Sequence, residues 1–85
     1  MTAADVKVLF GRRVRHLRKA KGVSQEAFAH SIKIDRSYFG SIERGERNAS
    51  LENICLIAKG LGVAPAELLR FDAVPEAGAQ VDADE

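Results

Sequence analysis

Arg36, Ser37 and Tyr38 are consecutive, and Ser41 follows four residues after Ser37. A guanidinium, a hydroxyl and a phenol at this spacing project from the first turn of a helix, with a second hydroxyl one turn further along the same face, and these are groups that bond base edges and phosphates of nucleic acid. Arg36 is the best base reader. Its guanidinium can bond O6 and N7 of guanine together, which is worth about 1–3 kcal/mol of discrimination. The plain alternative is a surface arginine that touches only phosphate. Ser37 can bond a base edge or a phosphate, and Tyr38 can pack on a thymine methyl or reach the backbone. Ser41 and Gly40 keep the surface small enough for close approach. Each also has a solvent-facing reading.

Those side chains need a short, rigid helix behind them. Asp35 suits its N-cap, so a helix is expected over residues 36–44, with Phe39 and Ile42 inward and Gly45 as its stop. Ser24 caps a preceding helix over residues 25–32 that buries Phe28, Ala29 and Ile32, and Lys33 and Ile34 make the turn. Two short helices joined in this way, with the second opening outward, suit the DNA major groove. Three further helices complete the pattern. Residues 3–21 carry Phe10, Val14, Leu17 and Lys21 on one stripe, and Gly22 ends the helix. Ser50 caps residues 51–61, with Leu51, Ile54, Ile57, Ala58 and Leu61 inward. Gly60 inside that helix costs it about 1 kcal/mol relative to Ala. Pro65 opens a short fifth helix over residues 65–70. No segment reads as a strand, so the expected fold class is all-α, a compact five-helix domain.

The net charge of +1 hides a split. Residues 1–71 hold all 13 Lys and Arg and seven acids, which leaves them at +6. Residues 72–85 hold five acids and no base. A basic domain over residues 1–71 with an acidic, disordered tail over 72–85 implies a polyanion partner. The single cysteine, Cys55, forms no intrachain disulfide and suits a reducing cytoplasm. No apolar run approaches the roughly 20 residues of a membrane span, and no signal-peptide order opens the chain. His16 and His30 lack metal-ligand spacing, Cys55 has no nearby histidine, and no glycine loop cradles a phosphate. The reading is of a non-enzyme without metal, cofactor or small-molecule ligand.

FGRRVRHLRKAKGVSQEAFA and IDRSYFGSIERGERNASLENICLIAKGLGV closely resemble the helix-turn-helix domains of the lambda-repressor/Cro (XRE) superfamily, over residues 9–71. The signposts are Arg18, Gly22, Ser24, Gln25, Ala29, Ile42, Glu43, Gly45, Asn48 and the run from Ile54 to Val63. DRSYFGSIERGERNASLENI is most similar to the controller proteins of restriction–modification systems. The resemblance puts the helix-turn-helix at helices 2–3 and implies homodimers on near-palindromic operators. It implies a buried salt bridge between Arg18 and Glu43, and a phosphate contact for Gln25. Ser24, at the cap, and Arg13 join the expected phosphate contacts. Arg44, Arg47 and Asn48 follow the recognition helix and suit the DNA backbone, and Arg47 also suits bases near the operator centre. The chain departs from its relatives at Lys33, where most have glycine in a left-handed turn. Slight strain is expected there, at about 1 kcal/mol.

Cys55, Leu56, Leu69 and Phe71 are apolar residues beyond the needs of a monomer core. They are expected to form a symmetric dimer that sets two third helices about 34 Å apart, one turn of DNA. Alternatively, Phe71 folds over its own core. The functional expectation is an autoregulatory, cytoplasmic DNA-binding regulator controlled by its own concentration, with RNA polymerase as a further partner. The alternative is an antitoxin-type protein whose tail binds a partner protein.

Overall fold

A computed structural model describes residues 3–73 of the chain. The elements are α1 (Ala3–Lys21), α2 (Gln25–Ser31), α3 (Arg36–Glu43), α4 (Leu51–Leu61) and two 3₁₀ turns, Pro65–Leu69 and Phe71–Ala73. Among the described residues there is no strand. The all-α class is as expected, but the fifth α-helix is not. Pro65 does open the segment, yet the backbone leaves helical geometry at Arg70, with φ −81° and ψ 79°. Five residues are too few to offset the cost of nucleating an α-helix, and 3₁₀ geometry serves such short pieces. Of the acidic segment, Asp72 and Ala73 lie in the second turn, and the remainder falls outside the described residues.

Three helices begin as their sequences dictate. Ser24, Asp35 and Ser50 each accept a backbone N–H three residues on, from Ala27, Tyr38 and Asn53, each at 3.1 Å. Such caps contribute about 1 kcal/mol apiece. All four helices end in one way. A residue one or two positions beyond the helix is left-handed, and two N–H groups bond back to orphaned carbonyls. After α3, Gly45 N–H bonds Ile42 O at 3.0 Å and Glu46 N–H bonds Ser41 O at 2.9 Å. Gly22 and Gly62 fill the same place after α1 and α4. After α2 the residue is Lys33, with φ 61°. Its N–H and that of Ile34 make the same pair of bonds, to His30 O and Ala29 O. The turn keeps the glycine geometry with a lysine in it.

The core gathers Phe10 and Val14 of α1, Phe28 and Ala29 of α2, Phe39 and Ile42 of α3, Ile57, Ala58 and Leu61 of α4, and Leu68. Phe28 and Phe39 pack with ring centroids 5.3 Å apart across the α2–α3 angle. Leu51 departs from expectation and is 81 % exposed. It continues the inward stripe of α4 in sequence, but it is the first residue of that helix and lies beyond the packed layer. Two glycines mark close approaches. A Cβ on Gly60 would sit 2.5 Å from Ile32 Cγ2 and 3.0 Å from Phe28 Cζ, so α4 reaches α2 only because that side chain is missing. A Cβ on Gly11 would overlap the backbone carbonyls of Ile42 and Glu43. That absence lets α1 cross the end of α3.

Two substitutions should therefore move stability in opposite directions. A left-handed non-glycine residue costs about 1–2 kcal/mol, and glycine gives back about 0.5–1 kcal/mol in chain entropy. Lys33→Gly should raise stability by the difference, roughly 0.5–1 kcal/mol, seen as a Tm higher by a few degrees. Helix propensity alone favours Gly11→Ala by about 1 kcal/mol. Overlap with backbone that cannot turn aside should reverse the sign, for a net loss of about 1–3 kcal/mol in denaturant melts.

Candidate nucleic-acid interface

The candidate surface is the outer side of α3 and the segment that follows it. Arg36 and Ser37 are exposed on the first turn of the helix. Phe39 and Ile42, on its other side, are fully buried. The helix therefore offers one polar edge and is clamped by the other.

The clamp is ionic as well as apolar. Arg18 is 1 % exposed, and its Nε and Nη2 donate to Glu43 Oε2 and Oε1 at 2.8 and 3.1 Å. Its Nη1 donates to Val23 O at 2.8 Å, which closes the turn after α1. Gln25 Nε2 donates to Glu43 Oε1 at 2.9 Å. One carboxylate on α3 thus holds α1 and the start of α2 together. Every bond is charge-assisted, so each is stronger than a neutral hydrogen bond.

This geometry redirects several of the expected contact residues. Gln25, expected on phosphate, is 2 % exposed and spends its amide on Glu43. Arg13, also expected on phosphate, is 6 % exposed. Its Nε donates to Glu67 O at 2.8 Å and its Nη2 to Glu67 Oε1 at 3.2 Å, tying α1 to the first 3₁₀ turn. Ser41, expected on the outer surface, is buried and donates its hydroxyl to Tyr38 O at 2.6 Å. Ser24 is exposed and caps α2. Tyr38 is half-buried, and its Oη donates to Asn48 O at 3.1 Å and accepts from Asn53 Nδ2 at 3.4 Å. It braces the segment after α3 against α4.

That segment keeps Arg44, Arg47 and Asn48 exposed. Arg44 Nε and Nη2 donate to Glu46 Oε2 and Oε1 at 3.0 and 3.2 Å. The Arg44 hydrogen bond, with the charges of Arg44 and Arg47 beside it, holds the Glu46 carboxyl below its ordinary range. Glu46, Glu67 and Asn53 were not legible as partners. The first pair lies two residues apart in a turn, where no helical spacing marks it, and Glu67 meets Arg13 across 54 positions.

The expected dimer residues divide. Cys55, Leu56 and Leu69 are exposed, whereas Phe71 is half-buried against the core of its own chain. Leu51 joins the exposed set, four residues before Cys55 on one stripe of α4. Among the described residues no three His, Cys, Asp or Glu are grouped to hold a metal ion. No helix there is long and apolar enough to cross a membrane.

Two capped helices, α2 and α3, meet at a tight turn, and the second is clamped at its back and polar at its front. The chain belongs to the helix-turn-helix domain family, whose pattern matches residues 9–71. It is 49 % identical over 65 residues to the control protein C.MunI of a Mycoplasma species, covering 75 % of this chain and 88 % of that one. It is 45 % identical over 71 residues to the control protein C.BamHI of Bacillus amyloliquefaciens, covering 82 % and 88 %. Among solved structures it is similar to the restriction–modification controller protein C.AhdI from Aeromonas hydrophila. The TM-score is 0.71 at 53 % identity, over 73 % of this chain and 94 % of that one. It is also similar to the controller C.Esp1396I, solved as a tetramer in complex with its natural 35 base-pair operator. There the TM-score is 0.68 at 32 % identity, over 74 % and 83 % of the two chains.

The Arg18–Glu43 pair should act on stability before it acts on recognition. Arg18→Ala leaves the Glu43 carboxylate buried with only Gln25 to answer it, a loss of about 3–5 kcal/mol. Thermal melting should show the loss, and sequence preference of the remaining folded protein on DNA should be unchanged. A variant with the wild-type Tm would overturn the assignment.

Proposed function

We propose that this protein is a sequence-specific DNA-binding transcriptional regulator of the controller type. It acts as a homodimer on an inverted repeat upstream of its own gene. The observation that carries the reading is the exposure of Arg36 and Ser37 on the first turn of a helix anchored on its other side. Arg36 reads a base and Ser37 bonds a base edge or phosphate. Arg44, Arg47 and Asn48 grip the DNA backbone beside them, with Ser24 at the cap of α2. Tyr38 acts mainly by holding Asn48 in place. Gln25 and Arg13 are assigned to the protein's interior, not to phosphate.

Support comes from the operator-bound controller among the similar structures and from the +6 charge of residues 1–71. Exposed Leu51, Cys55, Leu56 and Leu69 favour a dimer built from α4 and the first 3₁₀ turn. The protein works in the cytoplasm, where its DNA is. Concentration is the simplest control, because dimerisation and operator filling both follow it. Nothing favours the antitoxin alternative, and the similar proteins whose names state a role are controllers and transcription regulators. RNA polymerase is not part of the proposal.

The test is binding of the purified protein to its own upstream DNA against scrambled DNA of equal length, at physiological salt. The upstream DNA should bind far more tightly. Arg36→Ala should lose about 1–3 kcal/mol on it and relax preference at one base position per half-site. Equal weak binding to both DNAs would remove autoregulation. Selective binding that survives Arg36→Ala would move base reading to Ser37, Tyr38 or Arg47.

A further inference from the structure

The bidentate pair between Arg44 and Glu46 lies where the protein would meet DNA, so the following rests on the DNA-binding reading. Arg36, Gly40 and Arg44 are spaced four apart, along one side of α3. Arg44 Nη1 and Gln25 Oε1 would each stand 3.1 Å from a Cβ on Gly40. Glycine there lets the Arg44 guanidinium lie back over α3, beside the first residue of α2. Its remaining faces are met by Glu46, whose two oxygens bond Nε and Nη2. This is the fork geometry with which arginine also holds a phosphate.

Glu46 does not reach Arg44 by chance of a long side chain. Its N–H is bonded to Ser41 O, and Gly45 before it is left-handed at φ 77° and packed on Val8. The root of the side chain is therefore fixed by the end of α3. Both side chains remain about half exposed, at 47 % and 58 %, so water and other anions can reach the pair.

We propose that Glu46 occupies Arg44 as a stand-in for a DNA phosphate and must yield it when DNA binds, so that Glu46 sets the concentration at which the protein fills its site. The exchange replaces one bidentate anion with another, and its cost is the small net strength of an exposed ion pair.

The probe is a random-sequence DNA duplex, because a phosphate contact is independent of base sequence. Glu46→Gln should bind it roughly two- to fivefold more tightly than wild type, the range set by exposed ion pairs. In an Arg44→Ala background the same substitution should give no gain. Glu46→Asp keeps the charge but shortens the reach, and it should bind as Glu46→Gln does. A gain that persists without Arg44, or that is absent from Glu46→Asp, would overturn the proposal in favour of simple charge repulsion. No gain from Glu46→Gln would overturn it outright. Wild-type protein that fails to bind the duplex at low salt would instead overturn the DNA-binding reading, before any variant is compared. Matching melting curves for the variants establish that all are folded.

Discussion

The Glu43 carboxylate is the constraint on which the rest of the structure depends. It is buried, it accepts from Arg18 on α1 and from Gln25 on α2, and it sits on the last turn of α3. Burying an ion pair is costly, and the cost is offset only when its remaining bonds are met. Here they are met by groups from two other helices. The three helices cannot drift apart without leaving a charge in the core. The residues of α3 proposed to read sequence gain a fixed platform from this, and a fixed platform limits the ordering cost of binding.

Uniform helix ends serve the same purpose. Each of the four α-helices closes with a left-handed residue and a pair of back-bonded N–H groups. The connections are consequently short and the angles between helices are set locally. A chain of 85 residues has a small core, in a size range where only about 60 % of the unfolded surface is buried. Locally determined ends reduce what that core must do. Lys33 shows the priority, since the turn holds its geometry even where the residue disfavours it.

Arginine is used in three ways in this small protein. Arg18 is an internal strut and Arg13 a strap to the 3₁₀ turn. Arg36, Arg44 and Arg47 are left on the side proposed for DNA. Charge composition shows the excess but does not sort it. Burial separates them: Arg13 and Arg18 are buried and bonded to their partners, whereas Arg36, Arg44 and Arg47 stay exposed, Arg44 with Glu46 beside it.

Much of this was legible from residue types and spacing alone. The caps Ser24, Asp35 and Ser50, the stops Gly22 and Gly45, and the inward positions Phe28, Phe39, Ile42 and Ile57 are local properties, fixed by hydrogen-bond geometry and helical period. The left-handed Lys33 was legible too, through resemblance. Tertiary structure alone decided that Gln25 and Ser41 turn inward, that Arg13 is consumed by Glu67, that Leu51 lies past the core, and that Gly11 and Gly60 admit a neighbouring helix. The physical reason is the same in each case. Period and propensity state which side of a helix is apolar, whereas the partner of a polar group and the depth of a contact depend on distant segments that meet only when the chain has folded.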